Sequence, residues 1–133
     1  MFNNVLTDIN SVFADSSWTS NNIDIYPDNY QGTLADENEY LRLNVMPNSS
    51  QYFTHGGEKN LSGMVAIKMF VKAGEGQSRL MAIADILDNV LQSKKLTNGT
   101  ELGTSYMNVE GLDPANKSLY SASYIIPFKI HGD

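Results

Sequence analysis

Leu61-Ser62-Gly63-Met64-Val65-Ala66-Ile67-Lys68-Met69-Phe70-Val71-Lys72 decides how this chain folds. Leu61, Gly63, Val65, Ile67, Met69 and Val71 recur at every second position, the period that places side chains on one face of a β-strand. Ser62, Met64, Ala66, Lys68, Phe70 and Lys72 fall on the other face, which is only half polar, so part of it is expected to be covered. Gly74-Glu75-Gly76 breaks the strand. The period then changes: Leu80, Ile83, Ala84, Leu87, Val90 and Leu91 form one stripe at helical spacing. Lys94 and Lys95 are expected in the last turn of that helix, where cations suit its dipole, with Asn98-Gly99 as the stop. A two-residue period followed at once by a helical one implies a layered domain with a sheet and a helix.

Upstream, Phe2, Val5, Leu6, Ile9, Val12 and Phe13 make a second helical stripe, and Trp18 just beyond it is expected to pack back onto the core. Residues 19–38 are polar and rich in turn formers, apart from a brief apolar patch at Ile23-Asp24-Ile25-Tyr26 before Pro27. Leu41, Leu43 and Val45 alternate with Arg42 and Asn44, which predicts a strand that Pro47 ends. Residues 47–60 read as a long polar connection whose large apolar groups are Tyr52 and Phe53. Downstream, 102–111 reads as a weak strand, and Gly111-Leu112-Asp113-Pro114 as a turn. In the last strand Tyr120, Ala122, Tyr124, Ile126, Phe128 and Ile130 share a face. Pro127 lies inside it and lacks an N–H, so this strand is expected at an edge or bulged. Tyr120, Tyr124 and Phe128 thereby become candidates for an edge-strand interface. The expected fold is α+β, a mainly antiparallel sheet packed against two main α-helices, with residues 1–133 as a single domain.

Composition narrows the functional classes. The chain has 133 residues, of which 41% are hydrophobic, enough for one core without staples. It has no cysteine, which removes thiol nucleophiles, disulfides and Cys-ligated metals, and suits a reducing cytosol. Fifteen acidic residues against nine basic ones give a net charge of -6, a balance that repels phosphate and disfavours sequence-independent nucleic-acid binding. No apolar run approaches the roughly 20 residues of a membrane helix, and Met1-Phe2-Asn3-Asn4 lacks the basic start of a secretory signal. The Asn-x-Ser/Thr triplets at Asn48, Asn60, Asn98 and Asn116 are therefore read as unglycosylated.

Each catalytic pattern meets a plainer explanation. Gly74-Glu75-Gly76 lies between a strand and a helix, as in a dinucleotide-binding turn, but Arg79 stands where the third glycine belongs, so a tight turn accounts for it. His55 and His131 support neither a nucleophilic triad nor a metal site. Asp36, Glu37 and Glu39 lack the spacing of a calcium loop and read as a solvated acidic run. Tyr52 and Phe53, with His55, Gly56 and Gly57 around them, are candidates for an assembly loop that orders on contact with a partner. No enzyme activity and no cofactor are expected.

From Ile25 to Leu91 the chain resembles the tail terminator (tail completion) proteins of long-tailed phages, including the lambda-type minor tail terminator. The resemblance rests on Ile25-Tyr26-Pro27 after the N-terminal helix, the Glu39-Tyr40-Leu41-Arg42 strand, a long variable loop, Leu61-Ser62-Gly63-Met64-Val65, the Gly74-Glu75-Gly76 step, the helix through Ala82-Ile83-Ala84-Asp85-Ile86-Leu87, and a closing aromatic strand. Tyr26 and Asp28 depart from the tryptophan and asparagine commoner at those places. The resemblance implies a virion protein that forms a ring, typically of six copies. The ring caps the tail tube, stops its growth and offers its other face to head-completion proteins. DNA would pass without specific binding, so Asp36, Glu37 and Glu39 become candidates for lumen acids. Such a protein is assembled in the host cytoplasm and ends at the head-proximal end of the tail, with no membrane partner. A different head–tail joining protein or a small non-catalytic ligand-binding domain are the competing expectations.

Overall fold

The computed structural model describes residues 2–27, 39–52, 59–74, 77–112 and 119–132. Helix α1 (Phe2–Ala14) and the short α2 (Ser16–Thr19) lead into β1 (Ile25–Pro27). Strands β2 (Tyr40–Tyr52) and β3 (Lys59–Lys72) follow, then α3 (Ser78–Leu91), β4 (Glu101–Leu102), β5 (Tyr106–Leu112) and β6 (Leu119–Gly132). Together they make one α+β domain with a mixed six-stranded sheet and three helices. The sheet order is β1-β2-β3-β6, and β4 and β5 both pair with the far side of β6. β1 joins β2 in parallel, whereas the β2–β3, β3–β6, β4–β6 and β5–β6 pairs are antiparallel.

The alternation in the 61–72 stretch sets the layers. Leu61, Val65, Ile67, Met69 and Val71 are buried, and they meet Val5 and Ile9 of α1, Trp18 of α2 and Leu80, Ile83, Leu87 and Leu91 of α3 in one core. The ring of Trp18 meets Phe13 edge-on at 5.0 Å, as its place just after α1 predicts. Asp15 caps α2, its carboxylate accepting from the Ser17 amide at 2.9 Å, which holds that carboxyl below its ordinary value. The opposite face is partly covered, as its mixed composition implied. Phe70 is buried against Tyr40 (ring centroids 4.6 Å apart) and Leu119, with Tyr26 packed alongside.

Three stretches differ from the sequence reading; in one, the strand expected over 102–111 is divided into β4 and β5, and Gly111 and Leu112 extend β5 instead of opening a turn. Pro47 does not end β2: the ladder with β3 continues through an irregularity between Pro47 and Ser49 and reaches Tyr52↔Lys59. The residues 47–60 taken for a connection are therefore strand at both ends. Helix α3 stops at Leu91, because Ser93 takes a left-handed φ of 58°. Lys94 and Lys95 thus lie beyond the helix, and the backbone of Lys95 pairs with that of Glu101 in an isolated antiparallel bridge.

Candidate assembly surface

The final strand is interior, which corrects the expectation that Pro127 marks an edge. β3 pairs with β6 from Lys59↔Gly132 to Lys72↔Leu119, and β5 and β4 share its other side. The proline is accommodated where those two partners meet. β5 pairs as far as Ile125 and β4 begins at Phe128, so Pro127 faces the link between them. The Gly103 amide donates to the Pro127 carbonyl at 2.9 Å. The nitrogen of the same residue points the same way, into a break in the ladder where no donor is required. Gly103 permits this approach: a Cβ there would sit 3.0 Å from Cγ of Pro127. Tyr124 and Phe128 are buried in the core, so neither offers an exposed interface, while Tyr120 is packed against the core and half-buried.

Tyr124 instead organises a polar seam. Its hydroxyl donates to Oδ1 of Asp88 on α3 at 2.5 Å, and Ser105 Oγ donates to the same oxygen and contacts Gln92 Oε1. Burial, reinforced by the adjoining Asp88 carboxylate, holds the Tyr124 phenol well above its ordinary value. A second anchor, unforeseen from sequence, is the buried Asp8 of α1. Its carboxylate accepts from the amides of Asn98 at 2.9 Å and Thr100 at 3.3 Å. It thus ties the turn before β4 to the first helix across 90 residues of sequence.

Glu39 is bound to Arg79 of α3 through both carboxylate oxygens. An acid held against a guanidinium contributes little field of its own, so Glu39 is not a bare lumen acid. Asp36, Glu37, Phe53, His55, Gly56 and Gly57 lie outside the described residues, as does the side chain of Tyr52. Among the described residues no three His, Cys, Asp or Glu side chains gather as metal ligands, and no helix is long and apolar enough to cross a membrane.

What the surface does present is exposed apolar side chains at the two ends of the sheet. Among the described residues the exposed large hydrophobics are Phe2 (59%), Leu6 (45%), Tyr106 (55%) and Leu112 (54%), with Met81 (42%) on α3. Phe2 and Leu6 lie one turn apart on α1, beside the β1–β2 end. Leu6 lines a groove of about 310 Å³ there with Phe13, Ile25, Pro27, Leu43 and Val45. Tyr106 and Leu112 occupy opposite ends of β5, at the other limit of the sheet. Among the described residues no strand pairs with the outer side of β5, and β1 covers β2 only from Leu41 to Leu43.

No family model matches the chain, and no curated protein matches it. One solved structure, whose name describes no function, aligns over 100% of this chain and 97% of its own at a TM-score of 0.69 with 12% identity. The likeness is one of fold.

Proposed function

We propose that this chain is a structural phage protein, a tail terminator that assembles into a ring on the end of the tail tube. The observation that carries this reading is where the residues of the resemblance fall. Leu61 to Val65 lie near the start of β3, Gly74 follows it in a left-handed turn (φ 93°), Ala82 to Leu87 fill the middle of α3, and the aromatic segment closes the fold as β6. The finer description, a mainly antiparallel sheet served by two main helices, is part of the proposal. It is supported by β1–β2 being, among the described residues, the one parallel pair, and by α1 and α3 being the long helices, of 13 and 14 residues.

The ring, of six copies, would stop tube polymerisation and dock head-completion proteins at the head-proximal end of a siphophage tail. It would bind no cofactor, catalyse no reaction and involve no membrane. Six copies carry 6 × -6 = -36. That field would keep DNA from adhering in the channel, and it rests on the whole chain more than on Asp36, Glu37 and Glu39. The test is polymerisation of the cognate tube protein with and without this chain, followed by electron microscopy of tube ends. The reading requires capped ends and arrested growth. Binding to head-completion proteins alone would favour a different head–tail joining protein. A defined small-molecule ligand with no tube effect would favour a binding domain.

A further inference from the structure

Among the described residues, exposed apolar groups and strand edges without a partner coincide at both ends of this sheet, and the two ends differ in shape. At the β1–β2 end there is a concavity: a groove lined mainly by apolar groups, Leu6, Phe13, Ile25, Pro27, Leu43 and Val45, with Asn10 and Tyr26 beside them. It opens beside the stretch of β2 that β1 leaves uncovered, from Asn44 onward. At the β5 end there are protrusions: Leu112 and Tyr106, each more than half exposed. We infer that β5 of one copy pairs with the uncovered edge of β2 in the next, with Leu112 seated in the groove beside Leu6. The inference rests on the ring reading above and names the contact that would build the ring.

The helical face of the sheet matches across such a join. Leu112 pairs with Tyr120, which is paired in turn with core-facing Val71, so Leu112 lies on the helical side. The groove is on that side too, since Leu43 is paired with core-facing Ile67. Tyr106 pairs with Ile125 on the opposite face, the face that also carries Met46 of β2. Continuing the sheet from one copy to the next with helices on the same side therefore sets Leu112 against the apolar groove, with the rest of β5 running on along β2 beyond Met46. Because the two surfaces are different patches of one chain, the contact is head-to-tail. Head-to-tail contacts close into rings when the rotation per copy divides a full turn, whereas an identical patch on both partners stops at a dimer. Backbone pairing along β5 would supply direction and register, and the seated side chains specificity.

The test exploits that asymmetry. Leu112→Glu removes the protrusion and Leu6→Glu removes the groove, both at exposed positions. Circular dichroism and thermal melting establish that each variant is folded, and Leu112→Ser with Leu6→Ser is a milder second pair. Wild type is expected to assemble, and each variant alone to remain near 14.7 kDa by light scattering. An equimolar mixture is expected to stop at a heterodimer of 2 × 14.7 = 29.4 kDa, because one intact contact survives between the two variants. In assembled wild type, amide exchange should slow along 106–112 and from Asn44 onward. Assembly of either variant alone at wild-type strength, or no pairing in the mixture, would overturn the contact. A wild type that stays monomeric yet caps tubes would overturn it and leave the terminator reading intact. Rings built through this contact that ignore tubes would do the reverse.

Discussion

Asp8 and Tyr124 carry consequences far larger than their size. The buried Asp8 carboxylate answers two backbone amides, so Asp8→Ala leaves both without that acceptor and is expected to cost about 1–3 kcal/mol, read by urea denaturation. Asp8→Asn keeps one acceptor oxygen and should fall between. Tyr124 introduces a pH dependence. Its folded value is raised, so above the ordinary tyrosine value of about 10 the unfolded chain releases a proton that the folded chain retains. Stability from this group is complete below that pH and declines as pH rises past it. Denaturation from pH 8 to 11 should therefore show a steeper alkaline loss for wild type than for Tyr124→Phe. Neither role was legible from sequence. Asp8 sits on the polar side of an amphipathic pattern, and its partners lie 90 positions away.

Elements were more legible than their ends. Periodicity located α1, α3 and β3, and the stripe of α3 is buried at Leu80, Ile83, Leu87 and Leu91 and half-buried at Ala84 and Val90. Leu87 is fully buried there, so Leu87→Ala is expected to cost about 2–5 kcal/mol in the same denaturation assay, the lost transfer energy plus the cavity left behind. The stripe of α1 is wider than what the sheet covers. Val5 and Ile9 are in the core, while Phe2 and Leu6 of the same pattern face outward. Both prolines misled for one physical reason. A proline forbids one hydrogen bond, not a strand. Pro47 coincides with a ladder irregularity and Pro127 with the break between β4 and β5. Where a strand's partners end depends on residues distant in sequence, which local pattern does not encode. Much of the candidate site was hidden likewise: the aromatic period of β6 correctly grouped Tyr120, Tyr124 and Phe128 on one face, but neighbours on both sides turn that face into core.

Across the whole molecule, apolar contact and net charge oppose one another in any self-assembly. Each copy added to a ring brings another -6. Salt screens that repulsion while leaving apolar burial intact, so raising ionic strength from about 0.05 to 0.5 M should shift sedimentation toward the larger species. A contact held chiefly by ion pairs would loosen over the same range.

The central position of β6 also governs when the chain can fold during synthesis. Its pairings with β3 join residues separated by 119 − 72 = 47 to 132 − 59 = 73 positions, and the side of β3 that it covers has no other strand to take its place. While a ribosome is still making residues 77–118, β3 is an exposed apolar ribbon open along one flank, the form of nascent chain most prone to sticking to its neighbours. Arrival of residues 119–132 closes that flank in one late, long-range event, of the kind that sets slow folding rates. A stop codon or frameshift shortly before Leu119 would remove β6, and it is expected to yield aggregates in place of a weakened protein.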